Sequence, residues 1–258
     1  MFSKHRWTRG FFAAGLLAIF VCAASVSGYA QVSEPKGTLF QVSTVTGLDR
    51  GLFYPVTTVG QMKQHGNIGV GAFEGMDGEL LIIDGQAYNA MYDGKVVPVE
   101  DNSPIVYGAV AFLNADRTES MQNVSSYEKL QQNLEKLLPN RNIFHVFKVQ
   151  ATFNYLKVRS TAKQEKPYPG LWVVVKNQST FEFKNIKGTL IGFRCPAYIK
   201  GIYAPGFHLH FISEDRQKGG HVLEANVANL TAQIGYLTQM HLLLPDNDAT
   251  RAMDMSTK

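Results

Sequence analysis

Three Asp-Gly pairs, Asp77-Gly78, Asp84-Gly85 and Asp93-Gly94, lie within residues 77–94, each flanked by apolar residues. Asp-Gly readily takes the positive backbone angles that tight hairpin turns require. Gly69–Phe73 and Leu80–Ile83 read as strands around the turn Gly75-Met76-Asp77-Gly78. The spacing predicts an antiparallel meander. Pro104–Leu113 is a further buried strand, and Thr57–His65 reads as a short helix stopped by Gly66.

One longer helix is marked. Ser125-Ser126-Tyr127-Glu128 matches a capping box with Ser125 as N-cap, and Tyr127, Leu130, Leu134, Leu137 and Leu138 then recur at helical spacing until Pro139. The predicted helix covers residues 125–138. Beyond it the pattern is β: Phe144–Val149, Ala151–Val158, Leu171–Val175, Gly188–Phe193, Gly206–Ile212, His221–Val227 and Gln239–Leu244. Pro167 and Pro169 suggest a break near residue 168. The expected fold is α/β of the α+β type, with two β-sheet-containing subdomains of largely antiparallel or mixed strands and few helices. The expected divisions are residues 1–30, 31–168 and 169–258, the last β-rich and carrying the candidate metal ligands.

Residues 1–30 carry a basic start (Lys4, Arg6, Arg9), an apolar run from Phe11 to Val26 and small residues at Gly28 and Ala30. That order is a secretory signal peptide. It predicts export to a periplasm or the medium and no membrane association after cleavage. The full chain has 25 Lys+Arg against 21 Asp+Glu, and removal of the leader leaves 22 against 21. No basic stripe remains, so nucleic acid is not an expected partner. Cys22 departs with the leader, leaving Cys195 without an intramolecular disulfide partner, as a buried small hydrophobe.

The chemistry concentrates in Gly206–His221. On a strand, His208 and His210 face one side while Phe207, Leu209 and Phe211 face the other. If the chain returns antiparallel about a centre near residues 215–216, His221 lies opposite His210 and shares its face. Three neutral imidazoles with an open position are a common catalytic zinc set. No carboxylate stands in a two-histidine, one-carboxylate arrangement there, so zinc is favoured over iron. His65, His145 and His241 have no partner at ligand spacing, and Glu214-Asp215-Arg216 reads as a solvated charged turn.

At this point the residues resemble the acetolactate decarboxylase family. The matching stretches are His208-Leu-His-Phe-Ile-Ser-Glu-Asp-Arg with Gly219-Gly220-His221, then His65-Gly-Asn-Ile-Gly-Val-Gly-Ala-Phe with Met76-Asp-Gly-Glu79-Leu, and Phe153-Asn-Tyr-Leu-Lys-Val-Arg159-Ser. They stand in family order across roughly residues 39–254. The resemblance implies a zinc-dependent lyase converting 2-acetolactate to acetoin and carbon dioxide. It implies His208, His210 and His221 as zinc ligands, Glu79 and Arg159 as active-site residues, and a homodimer of two-domain chains. Two positions depart from the family pattern. Ala72 stands where members often carry threonine, and no glutamate follows Glu224, whereas many members have a further active-site glutamate near their C-terminus.

Loss of carbon dioxide from a β-keto acid leaves an electron pair that the adjacent ketone can accept as an enolate, given a stabilised oxygen. A chelating zinc suits that task. Arg159 is then expected to orient the substrate carboxylate and support reprotonation, with Glu79 in a hydrogen-bonding or relay role. Two other readings remain open: an exported zinc hydrolase, and a non-catalytic metal- or carbohydrate-binding module on the same scaffold.

Overall fold

The computed structural model describes residues 35–255, with Met1 and Phe2, so the signal peptide expected at 1–30 otherwise lies outside the described residues. The strands of the first half are β1 (Thr38–Val42), β2 (Thr57–Thr58), β3 (Ile68–Phe73), β4 (Glu79–Ile83), β5 (Gln86–Ala90), β6 (Val96–Pro98) and β7 (Pro104–Ala111). There follow β8 (Arg117–Val124), β9 (Phe144–Ser160), β10 (Ser179–Cys195), β11 (Gly206–Ser213), β12 (Gly219–Leu237) and β13 (Gln239–Leu243). One sheet runs β13-β1-β7-β3-β4-β5-β6, with β2 beside β7. Its β3–β6 portion is the antiparallel meander expected from the Asp-Gly turns. β13 joins β1 in parallel. The second sheet runs β11-β10-β9-β12-β8, and β11 also pairs with β12, so β9–β12 close on themselves.

Strand alternation assigns each face. In β4, Leu81 and Ile83 enter the core between the sheets, where Ile68, Val70, Val146, Ile191, Phe193 and Ile212 also lie. Leu80 and Ile82 face the other way, with Val59 and Met62 of helix α1 (Val59–Lys63). On the far side of the second sheet, Phe147, Phe153, Leu209 and Phe211 pack with Leu130 and Leu134 of α2 (Tyr127–Lys136). Burying a side chain of this size contributes roughly 1.5–3 kcal/mol.

Several expectations need correction. Residues 171–176 form a short helix, α3 (Leu171–Lys176), not a strand. A short apolar run does not distinguish the two by pattern, and here Trp172 and Val173 are exposed, with no neighbouring strand to cover them. The N-cap of α2 is Ser126, whose hydroxyl accepts from Lys129 N at 3.1 Å, so no Ser125–Glu128 capping box forms. The carbonyl of Ser125 instead accepts from Asn226 Nδ2. Phe144–Val149 and Ala151–Val158 are parts of the single strand β9, and β8 is an edge strand whose exposed polar alternation gave no apolar signal. The break at residue 168 does not separate sheets. It falls in the link between β9 and β10, which pair along their lengths, and residues 35–255 belong to one compact unit.

His145 on β9 is fully buried, against Phe147 and Tyr236. Burial, aided by the Arg194 charge, lowers its pKa from 6.5 to about 4. Between those values the unfolded chain binds a proton that the folded chain does not, so stability rises with pH across that window. Denaturant titrations are therefore expected to show stability falling as pH drops from 6.5 toward 4. His145→Phe should flatten that slope; an unchanged slope would contradict the assignment.

Candidate metal centre

The hairpin β11–β12 is built locally. Ser213 N donates to Lys218 O at 2.8 Å and Arg216 N to Ser213 O at 3.0 Å, closing the turn. Asp215 Oδ1 accepts from Gln217 N at 3.0 Å and from the Ser213 hydroxyl, and Arg216 sits at φ 60°. Glu214-Asp215-Arg216 is thus the solvated turn expected. The return strand sets His210 opposite His221, as the assumed centre of the turn required.

His208 and His210 project from β11 away from Leu209 and Phe211. Their Nε2 atoms are 3.2 Å apart, and the ligand atoms of His208, His210 and His221 all lie within 4.8 Å of one another. Two nitrogens bound tetrahedrally to one zinc at about 2.0–2.1 Å are about 3.3 Å apart, the spacing that His208 and His210 show. His210 Nδ1–H donates to Leu80 O at 2.9 Å. That bond puts the proton on Nδ1 and leaves the Nε2 lone pair free. Burial, with the Arg159 charge, lowers the His208 pKa to about 3 and holds His221 well below the ordinary range. His210 is likewise well below it, through burial and the charge of His208. Neutral imidazole is the form a metal needs. Among the described residues this is the one group of three or more His, Cys, Asp or Glu side chains arranged to hold a metal ion.

Glu79 and Arg159 meet at this cluster from different sheets. Glu79 opens β4 on the face of Leu81 and Ile83, toward the second sheet. Arg159 sits opposite His221 on β9. Arg159 Nη1 donates to Glu79 Oε1 at 3.1 Å, and Glu79 Oε2 lies 3.5 Å from His210 Nε2. Both side chains are largely buried, 14% and 7% exposed. Burial raises the Glu79 pKa to about 7 despite the opposing pull of Arg159. Gly220 is needed for the strands to close here: at φ 143° a Cβ on it would come 2.5 Å from Arg159 O.

The five residues singled out in the sequence are therefore brought together. His65 instead stacks on Phe40, with ring centroids 3.7 Å apart, and Cys195 is buried, its thiol pushed up to about 12 by burial. Ala72 lies buried in β3 opposite Tyr107. The sequence reading missed Tyr203, whose ring packs 5.3 Å from His208, and the Leu80 carbonyl. Neither carries a spacing signal, because both reach the cluster only through tertiary packing.

The alpha-acetolactate decarboxylase family matches residues 39–257. The alpha-acetolactate decarboxylase of Methanosarcina mazei is 40% identical over 213 residues, covering 83% of this chain and 74% of that protein. The Bacillus licheniformis enzyme of the same name is 36% identical over 215 residues, covering 83% of this chain and 85% of its own length. The crystal structure of alpha-acetolactate decarboxylase from Bacillus subtilis strain 168 superimposes with a TM-score of 0.83 at 32% identity, covering 85% of this chain and 94% of that one. The mixed sheets, the few helices and these likenesses together place the chain in the alpha-acetolactate decarboxylase family.

Proposed function

We propose that this chain decarboxylates 2-acetolactate to acetoin with a zinc ion held by His208, His210 and His221. The observation that carries the reading is the convergence of three neutral imidazoles with the buried Glu79–Arg159 pair, one member of which touches His210. When bound, zinc supplies Lewis acidity toward the electron pair released by carbon–carbon cleavage. Arg159, always cationic, binds and orients the departing carboxylate. The bond to that carboxyl carbon breaks, carbon dioxide leaves, and the electron pair moves onto the adjacent ketone as an enolate. Glu79, buried beside Arg159 and His210, is placed to relay a proton, directly or through water, to the carbon that lost the carboxylate. The packed β-strands keep these groups at fixed positions, which favours charge development in the transition state.

The order of residues 1–30 supports export, with the mature chain starting at Gln31 in the periplasm or medium. The functional test is product formation by the residue 31–258 protein. Acetoin should form from racemic 2-acetolactate well above the spontaneous rate, stop with a chelator and return with zinc. Ester or amide hydrolysis without acetoin would replace this reading with the hydrolase; bound zinc with no turnover of either kind would favour the binding module.

A further inference from the structure

The turn that delivers Glu79 is conformationally demanding. Gly75, Met76 and Gly78 have φ of 69°, 60° and 85°. Met76 bears a side chain in the left-handed region, which such residues occupy mainly where the surroundings enforce it. Asn89 Nδ2 donates to Asp77 O at 2.9 Å and Gly75 N to Phe53 O at 3.1 Å, and further contacts come from the end of β9 and the residues after it, just past Arg159. Thr161 Oγ1 donates to Met76 O at 2.8 Å. Gly78 N donates to Thr161 O at 3.0 Å, and Gln164 N to Gly75 O at 2.7 Å. Ser160 Oγ donates to Ala90 O at 2.7 Å, and Ala90 is the ladder partner of Glu79. Both hydroxyl residues are fully buried.

We propose that Ser160 and Thr161 are positioning residues that hold Glu79 against Arg159, an inference that rests on the roles given to that pair above. The Arg159 side chain reaches the Glu79 carboxylate, and the next two residues fasten the backbone around it. Thr161 grips the turn before Glu79; Ser160 grips the strand beside it. Removal of the Thr161 hydroxyl leaves Met76 O with only Gly78 N, a donor that it shares with Thr161 O, and loosens the turn that sets the position of Glu79. A displacement of about 1 Å at a reacting group is enough to cost about a hundredfold in rate.

Thr161→Val keeps the side-chain shape and removes the donor. In the zinc-loaded protein it is expected to lower kcat about ten- to hundredfold, with KM within about twofold and bound zinc unchanged. Thr161→Ser should restore kcat to within about threefold. A merely structural defect would act independently of Glu79, so the deciding comparison is made in the Glu79→Ala background. There Thr161→Val is expected to change the residual rate, read in single turnover, by less than about twofold. Ser160→Ala should behave in the same way and serves as the test if Thr161→Val does not fold. Equal losses in both backgrounds, or wild-type kcat in both hydroxyl variants, would overturn the positioning role and leave Glu79 in place. Wild-type kcat in Glu79→Ala would instead overturn the reading of Glu79 and the inference with it.

Discussion

His210→Ala is expected to lose bound zinc and to reduce acetoin formation by about a thousandfold or more, to the spontaneous rate. His210 is the most constrained of the three imidazoles. It is fully buried, its Nδ1–H is committed to Leu80 O, and its Nε2 faces both His208 and Glu79. Alanine removes the hydrogen bond to the Leu80 carbonyl, a cost of about 0.5–1.5 kcal/mol on top of metal loss. His221→Ala should also lose zinc, but His221 Nδ1 has no hydrogen-bonding partner to strand. Metal analysis and melting in chelator therefore separate two effects. Both variants should lack zinc, and apo His210→Ala should melt below apo His221→Ala. Full zinc retention in His210→Ala would remove it from the ligand set.

Arg159→Lys is expected to lower kcat about a hundredfold while zinc content stays at the wild-type level. Lysine keeps the charge that compensates Glu79, so it avoids the roughly 3–5 kcal/mol penalty of breaking a buried pair. It cannot reproduce the planar guanidinium that can bond to Glu79 and a substrate carboxylate together. Arg159 lies opposite His221 but donates its hydrogen bond to Glu79, so its chemistry and the metal can be separated experimentally. Steady-state kinetics with metal analysis on the same samples checks this. Zinc loss in Arg159→Lys would make the residue a support of the metal site, and an unchanged kcat would remove it from the reaction.

The parts of this site that were legible in the sequence are those governed by local rules. Period-two alternation put His208 and His210 on one face, and the polar turn fixed the return that sets His221 opposite His210. The Asp-Gly pairs marked the meander that contains β4. Glu79 and Arg159 were different. They are 80 residues apart and belong to separate sheets, so no spacing joins them; a family resemblance did. The one-turn helix at Leu171–Lys176 and the polar edge strand β8 escaped because short runs without buried alternation carry little periodic signal. The shift of the cap from Ser125 to Ser126 shows the same limit at an element boundary. Two adjacent serines offer equivalent hydroxyls, and the packing of α2 against the second sheet selects between them.

The most direct test of the central claim is a zinc titration of the metal-free protein, with bound zinc and acetoin formation from 2-acetolactate measured in each sample. The account predicts that turnover rises in proportion to bound zinc and levels off at one zinc per chain, and that His210→Ala gives no such rise. Full turnover in metal-free protein, or one tightly bound zinc per chain without acetoin formation, would contradict it.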